Sequence, residues 1–538
     1  MTVGEKLMHL RTARSISQEQ LAEKLSVSRQ AVSNWEINQS TPTLDNLLKL
    51  CEIFAVTPNE LLLDEAKQAQ KKITHNKYFG TDGFRGEANL SLTVEQAFRV
   101  GRFLGWYYTY GGGRQSLSAN YRAKIVIGKD TRRSSYMLEY ALVAGITASG
   151  ADAYMLHVTT TPSLSYVTRG EEFDCGIMIT ASHNPYYDNG IKVVNRRGEK
   201  LDDATSALVE AYLDSDMAAL EIDAEELPLA TKDKIGLIVD YTSGRNRYIA
   251  YLISLASHSY KNLRIGIDCA NGASWSIASA VFGALGAKVE LLGTEPDGLN
   301  INRACGSTHI DGLQRLVREK NLDIGFAFDG DADRCIAVDE CGRAIDGDAI
   351  MYILAHRLNS RGMLNDETVV ATVMSNSGFI ASLEAKGLKC IQTQVGDRFV
   401  YEKIKEGDYS LGGEQSGHII IKKYATTGDG LLTAIMLCEE LCDKKLPPSK
   451  LTDGLKLYPQ YTKSIKVKSK DAVLDDCGVN NALSEVKRTI GKNGRALLRK
   501  SGTEPMVRIM IECESPSECR AYADKIADAI QRGGHIID

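Results

Sequence analysis

Four clusters of polar residues have types and spacings that could do chemistry. In TASHNPYYDNGIKVV, residues 180–194, Ser182 follows an apolar run and precedes His183, Asn184 and Pro185, so its hydroxyl falls at a turn. No GxSxG surrounds it, which speaks against an acyl-transfer triad; a serine so placed accepts a phosphoryl group only when a partner activates it and balances the charge. In FDGDADR, residues 328–334, Asp329, Asp331 and Asp333 alternate with Gly330 and Ala332 directly after the apolar run IGFAF. Alternate carboxylates on a looped backbone converge on one side. Three together repel unless a cation sits between them, and an all-oxygen ligand set fits Mg²⁺. A calcium loop is a poor alternative, because no Glu stands at the twelfth position; a solvated acidic turn is the other alternative.

The third cluster, GGEQSGH at 412–418, places Glu414, Ser416 and His418 beside glycines. These groups suit recognition of sugar hydroxyls or amines, and His418 can exchange a proton near neutral pH. The fourth, RKSGTEPMVR at 499–508, offers the hydroxyls and amides of Ser501, Gly502 and Thr503 between Arg499 and Arg508, a set that can surround a phosphate with charge-assisted hydrogen bonds.

These clusters must be positioned by the elements around them. From about residue 77 short apolar strands alternate with helices: AKIVIGKD (123–130), MLEYALVAGITASG (137–150), FDCGIMITASHNP (173–185), NLRIGIDCANGA (262–273), GAKVELL (286–292), ETVVATV (367–373) and LKCIQTQVG (388–396). Repeated strand, loop and helix units predict α/β domains with helices on both faces of their sheets. The boundaries read as 77–235, 236–340 and 341–455, set by the polar stretch 216–234 and by PPSKLTDG (447–454). Residues 456–538 read as a smaller α+β domain.

Residues 1–66 read differently. Val3, Leu7 and Leu10 form one face of a helix over 3–13; Ser17, Ser28, Thr43 and Thr57 can each cap a further short helix, the last with Pro58 at its first position. This predicts a compact all-helical domain, followed by a polar linker at 67–76. The segment SQEQLAEKLSVSRQAVSNWEINQSTPTLDNLLKLCEIFAVTPNELL resembles helix-turn-helix domains of phage-repressor-like regulators. In that family the helix beginning near Ser28 enters the major groove, which implies that Arg29, Gln30, Ser33 and Asn34 meet base edges or phosphates of double-stranded DNA. Against this, residues 1–64 carry six Lys/Arg and eight Asp/Glu, so attraction to phosphate has to come from a local patch around Arg11, Arg14 and Arg29. A protein-interaction or dimerisation module is the alternative, a homodimer being one arrangement it would serve. Trp35 reads as core.

The whole chain has 538 residues, a formal net charge of −5 and 43% hydrophobic residues, which argues against a general polyanion binder. No apolar run is long enough to span a bilayer and the N-terminus has no signal-peptide core, so a cytoplasmic location without membrane contact is expected. The twelve cysteines are scattered without a CxxC pair, which suggests neither a zinc knuckle nor a disulfide scaffold.

Residues 77–538 resemble the α-D-phosphohexomutase superfamily at every cluster in order, including KYFGTDGFRG (77–86), IGKDTRRSS (127–135) and PDGLNINRACGSTH (296–309). The resemblance implies four domains around a cleft, three related α/β domains and a smaller phosphate-binding one. It implies that Ser182 is the phosphorylated residue, and that Asp329, Asp331 and Asp333 hold Mg²⁺ together with the Ser182 phosphate. Lys192 would be the proton-transfer and phosphate-neutralising partner, Arg85 and Arg334 would add positive charge, and His183 would order the serine. Glu414, Gln415 and Ser416 would bind the sugar, with His418 nearby for recognition or proton transfer, while Arg499, Ser501, Gly502, Thr503 and Arg508 would clamp the non-reacting phosphate. The sugar loop GEQSGH and TQVGDRFV (393–400), with Asp397 and Arg398, look like the glucosamine branch. That branch implies a hexosamine phosphate substrate, glucosamine 1,6-bisphosphate as intermediate and activator, and a product that supplies UDP-N-acetylglucosamine synthesis. Glucose or mannose phosphates are the alternative substrates, and a sugar-phosphate-responsive DNA-binding regulator is the alternative function.

Overall fold

The structure, a computed structural model, describes residues 3–14, 16–36, 40, 42–43, 46, 49–50, 53–54, 77–80, 82–110, 121–220, 222, 224–491, 494–500 and 506–537. The chain divides into two compact units, Met1–Lys77 and Tyr78–Asp538.

In the first unit, helices Val3–Ala13, Gln18–Leu25 and Arg29–Glu36 close on a core containing Leu7, Leu21, Leu25, Val32, Trp35, Leu50 and Phe54. Ser17 caps the second helix in a reciprocal box with Gln20: its hydroxyl accepts from the Gln20 amide at 3.1 Å, and its own amide donates to Gln20 Oε1 at 2.8 Å. Ser28 Oγ accepts from the Ala31 amide at 3.1 Å, and Ser26, at φ +56°, turns the chain between the two helices. Two of the three arginines of the expected basic patch also make hydrogen bonds within the domain. Arg11 donates to buried Glu36 at 2.6 and 3.1 Å, and Arg14 donates to the carbonyls of Ile53 and Phe54, so these two guanidinium groups staple the helices. Arg29 and Gln30 remain exposed, and Gln30 donates to Asn34 Oδ1 at 3.1 Å. The helix expected at Thr57–Pro58 and the linker at 67–76 lie outside the described residues.

The second unit holds four sheets. The first has seven strands in the order Phe79–Gly80, Gly83–Glu87, Asp188–Asn195, Cys175–Ile179, Lys124–Lys129, Asp152–Val158 and Ile238–Asp240. Its central strands are parallel, and Cys175–Ile179 is buried at every position, as a strand covered on both faces must be. The second sheet runs Ala344–Ile345, Cys335–Val338, Ile324–Phe328, Arg264–Asp268, Lys288–Leu292. The third runs Lys389–Thr393, Thr368–Thr372, Leu411–Gly413, Ile419–Ile421, and the fourth is antiparallel, Gln460–Lys466, Met506–Glu512, Arg495–Lys500.

Two edge strands sit beyond the expected boundaries. Ile238–Asp240 pairs with the first sheet, past residue 235, and Ala344–Ile345 pairs with the second, past 340. Hydropathy cannot assign a two- or three-residue edge strand, because its partner is fixed only by tertiary pairing. Among the described residues no helix is long and apolar enough to cross a membrane.

Candidate active site

Ser182 stands just past the C-terminal end of strand Cys175–Ile179, where parallel sheets place their ligand sites. Its backbone is left-handed at φ +52°, costly for a residue with a Cβ, and the surroundings hold it there. Its amide donates to Thr180 Oγ1 at 2.9 Å. Its carbonyl accepts from Arg132 Nη2 at 2.9 Å and from Asn302 Nδ2 at 2.8 Å. The same two side chains donate to the carbonyl of Asn184, at 2.9 and 3.1 Å, and Arg132 also donates to that of Pro185. Arg132 is fully buried and is paired with Asp130 at 2.8 Å, whose carboxylate further accepts from Thr180 and Ser135 at 2.7 and 2.8 Å.

The acidic loop closes the hairpin between Ile324–Phe328 and Cys335–Val338, in which Phe328 faces Cys335. All three carboxylates are buried, and one oxygen from each lies within 4.8 Å of the others. Ser182 Oγ donates to Asp329 Oδ2 at 2.5 Å. Gly330 permits this approach, since a Cβ there would stand 2.6 Å from the Ser182 carbonyl oxygen. Asp331 Oδ2 accepts from Thr161 Oγ1 at 2.6 Å, and the Thr161 amide donates to the Asp331 carbonyl at 3.0 Å. Among the described residues Asp331 Oδ1 and Asp333 Oδ1 are buried without a hydrogen-bond donor. Burial, with the charges of Asp333 and Asp331, pushes the Asp329 carboxyl well above its ordinary range. Orphaned buried carboxylate oxygens beside a carboxyl that resists ionisation fit a divalent cation, which would remove both costs.

Cations approach from three sides. Lys192 Nζ donates to Asp331 Oδ2 at 2.8 Å and Asp333 Oδ2 at 3.2 Å and lies 3.4 Å from Asp82. Burial alone would lower its pKa, but Asp331, Asp82 and Asp333 outweigh burial and raise it well above the usual lysine value. Arg85 pairs with Asp82 and reaches Asn184 Oδ1 at 3.5 Å. Arg334 lies 4.0 Å from Asp333, and its amide donates to Asp329 Oδ1 at 3.1 Å. His183 Nδ1 is 3.4 Å from Ser182 Oγ. Burial, then the charges of Arg334 and Arg85, lowers this histidine to about 4, so it is neutral near pH 7.

The third cluster, residues 412–418, joins strands Leu411–Gly413 and Ile419–Ile421 and rests on the acidic hairpin: the carbonyl of Gly417, a residue at φ +91°, accepts from the Cys335 amide at 3.0 Å. Glu414 Oε1 accepts from the Gly396 amide at 3.1 Å, Ser416 Oγ donates to Glu414 Oε2 at 3.4 Å, and Gln415 Nε2 donates to Asp346 Oδ2 at 3.3 Å. These three are partly open, whereas His418 is buried. His418 is the most enclosed of the four side chains. Its Nδ1 is 3.7 Å from Asp333 and its Nε2 3.5 Å from Asp397. Despite burial, these carboxylates raise it to about 9. Yet Nε2 also accepts from the Gly428 amide at 2.9 Å, which requires a bare nitrogen. The shorter contact favours the neutral ring with its proton on Nδ1, towards Asp333.

In the last domain Arg499 and Arg508 are directly opposed on antiparallel strands and so share one face of the sheet. Like charges opposite one another are unfavourable unless an anion lies between them. Ser501, Gly502 and Thr503 lie outside the described residues.

Sequence reasoning passed over Arg132, Asn302, Thr161, Asp82 and Lys200 as functional positions. Arg132, Asn302 and Asp82 stood within matched motifs without a role; Lys200 becomes notable only through its contact with Asp397 across domains.

The phosphoglucomutase/phosphomannomutase family matches in all four of its parts: alpha/beta/alpha domains I, II and III at residues 76–219, 246–342 and 346–458, and the C-terminal domain at 463–529. A helix-turn-helix family matches residues 7–61. Phosphoglucosamine mutase from Lachnospira eligens is 55% identical over 461 residues, covering 86% of this chain and all of the relative. A phosphoglucomutase/phosphomannomutase family protein from Burkholderia thailandensis has a similar solved structure, with a TM-score of 0.69 and 25% identity, covering 84% of this chain and 97% of its own. The fold is also shared by Aspergillus fumigatus N-acetylphosphoglucosamine mutase, solved with GlcNAc-6P and magnesium, at a TM-score of 0.60 and 18% identity over 86% of this chain and 97% of that one. A serine hydroxyl against a buried carboxylate triplet, a cationic rim, a sugar loop and an arginine pair thus recur in a chain that belongs to the phosphoglucosamine mutases of the phosphohexomutase family, with a helix-turn-helix domain at its N-terminus.

Proposed function

We propose that the enzyme interconverts glucosamine 6-phosphate and glucosamine 1-phosphate through a phosphoryl group carried on Ser182, with glucosamine 1,6-bisphosphate as the intermediate. The observation that carries this reading is the 2.5 Å contact of Ser182 Oγ with Asp329 inside a buried three-carboxylate cluster. Asp329, Asp331 and Asp333 would hold Mg²⁺, the ion that accompanies GlcNAc-6P in the Aspergillus structure; bound there, it neutralises charge on the transferring phosphoryl group.

The remaining roles belong to the chain. Arg499 and Arg508 hold the phosphate that does not react, with Ser501, Gly502 and Thr503 completing the clamp. Glu414, Gln415 and Ser416 orient the amino sugar. The 1-hydroxyl oxygen of glucosamine 6-phosphate bonds to phosphorus as the bond from phosphorus to Ser182 Oγ breaks. Lys192, held protonated by its three carboxylates, neutralises the phosphoryl oxygens and supplies a proton to the departing serine oxygen. The proton of the sugar hydroxyl is taken up by His418, whose Nε2 would exchange the Gly428 amide for that proton as the ring becomes a cation between Asp333 and Asp397. Arg85 and Arg334 add charge along the rim, and neutral His183 orders the serine. The bisphosphate then turns end for end, and its 6-phosphoryl group returns to Ser182.

The test is a coupled assay with glucosamine 6-phosphate, glucose 6-phosphate and mannose 6-phosphate at one Mg²⁺ concentration. Glucosamine 6-phosphate should be preferred, and Ser182→Ala should abolish turnover in a folded protein. Preference for an unaminated sugar overturns the substrate; turnover by the variant overturns the serine carrier.

For the N-terminal unit a second reading, double-stranded DNA binding through Arg29, Gln30, Ser33 and Asn34, is supported by the exposure of Arg29 and Gln30 at the start of their helix and by the family match. Selection from a random DNA pool, with the intact protein and with a chain beginning at Lys77, separates DNA reading from tethering: enrichment must require residues 1–66.

A further inference from the structure

The groups around Lys192 form a closed ring in which three carboxylates alternate with Lys192, Lys200 and the imidazole of His418. Lys192 lies 3.4 Å from Asp82, Asp82 lies 3.1 Å from Lys200, and Lys200 lies 2.7 Å from Asp397. Asp397 is 3.5 Å from His418, His418 is 3.7 Å from Asp333, and Asp333 is 3.2 Å from Lys192. The ring crosses three domains: Asp82, Lys192 and Lys200 stand on the first, Asp333 on the second, Asp397 and His418 on the third.

The link from Lys200 to Asp397 is the point at which the third domain enters this ring from the first. It is also the inner end of a longer contact. Helix Asp397–Glu406 lies along residues 199–203, where Arg398 pairs with Asp203, and Tyr401 Oη and Lys405 Nζ each reach Glu199 at 3.0 Å. These named contacts are polar or ionic. Such contacts are made and released at lower cost than an apolar surface of the same extent. Asp397 also begins its helix, so its carboxylate position and the helix position are one variable.

We infer that Lys200 and Asp397 are positioning residues for catalysis, joining the docking of the sugar-binding domain to the placement of Lys192 and His418. With Lys200 present, Asp82 is shared between two ammonium groups and Lys192 is free to serve Asp331 and Asp333. Without it, Asp82 keeps only Arg85 and Lys192 as cations and draws Lys192 more strongly, and Asp397, left without its lysine, no longer holds its place against His418. Lys192 and His418, the two groups of the ring that meet Asp333, then lose their placement. The inference rests on the proposed transfer from Ser182, yet it can fail alone.

The test is a double-mutant cycle on the full chain, with Lys200→Met, Asp397→Asn and the pair, measuring kcat and KM for glucosamine 6-phosphate. Each single variant should lower kcat about 30- to 100-fold with KM changed less than about threefold, and the double variant should be no slower than the worse single, because both remove one link. Lys200→Arg, which keeps the charge, should recover kcat to within about fivefold of the parent. Arg398→Gln, at the outer part of the same contact, should leave kcat within about twofold. Multiplicative losses in the double variant, or an equal loss in Arg398→Gln, would show general interface damage and overturn the inference. Wild-type kcat in folded Lys200→Met would do the same while Ser182→Ala stays inactive, which leaves the transfer reading intact; an active Ser182→Ala strikes that reading instead.

Discussion

Replacing Arg132 by methionine tests whether the nucleophile loop is held by one buried cation. The change keeps side-chain length and removes every donor. No carbonyl is left without a donor: that of Pro185 keeps the Asp188 amide, and those of Ser182 and Asn184 each keep Asn302. Asp130 keeps Thr180 and Ser135 but loses the cation that balances its buried charge. The cost is that of a buried charge that loses its partner, about 3–5 kcal/mol. Ser182 already sits in a left-handed conformation that costs about 1–2 kcal/mol, so a loss of this size releases the loop to conformations in which Oγ no longer faces Asp329. Misplacement of a reacting atom by about 1 Å costs about a hundredfold. The variant should therefore show kcat down by about 10²-fold, KM for glucosamine 6-phosphate nearly unchanged, and lost hydrogen-exchange protection in 180–185 with protection in Ile324–Phe328 retained. A folded Arg132→Met enzyme with kcat within threefold of the parent would refute the reasoning, because it would mean that Asn302 and the strand suffice.

Asp331→Asn should weaken Mg²⁺ binding at least tenfold in titration calorimetry, since it removes one charge from the cluster and leaves Lys192 facing a neutral amide; unchanged affinity would move the metal elsewhere. Arg508→Ala should raise KM for glucosamine 6-phosphate about tenfold with a smaller effect on kcat, as fits a group holding the non-reacting phosphate. Asp348, which burial and then Asp346 raise to about 7, favours its protonated form in the folded state. Its contribution to stability is present below the unfolded value of about 3.9 and lost as pH rises to about 7, on the order of a few kcal/mol. Melting temperature should fall between pH 5 and pH 7 in the parent and fall less in Asp348→Asn. Arg29→Ala should weaken DNA binding and lower the slope of log affinity against log salt by about one.

The clusters legible in the sequence are those whose partners are local. The acidic triplet reads from alternation alone, because a hairpin loop that begins at Phe328 and ends at Cys335 gives its alternate side chains one side. The serine reads from the turn that follows a buried strand, and the helix caps at Ser17 and Ser28 read from residues three positions away. His418 is the converse case, because its partners Asp333 and Asp397 stand eighty-five and twenty-one residues away. Arg11 is another: it meets Glu36 twenty-five residues on, a distance over which no local pattern informs.

Arg132, Asn302 and Lys200 are silent in the sequence because each acts at a junction. Arg132 and Asn302 stand on different domains and converge on two carbonyls, those of Ser182 and Asn184. Backbone carbonyls carry no residue-type signal, so nothing in the sequence marks the loop as the target. The consequence is mechanical. A loop held from two domains keeps its shape only while both are docked, and a left-handed serine without that support relaxes towards the commoner backbone wells. Ser182 is therefore placed by the first and second domains together, the 412–418 loop enters with the third, and the arginine pair with the fourth. In the proposed cycle, reorientation of the bisphosphate would loosen the third and fourth while Arg132 and Asn302 keep Ser182 aimed at the carboxylates.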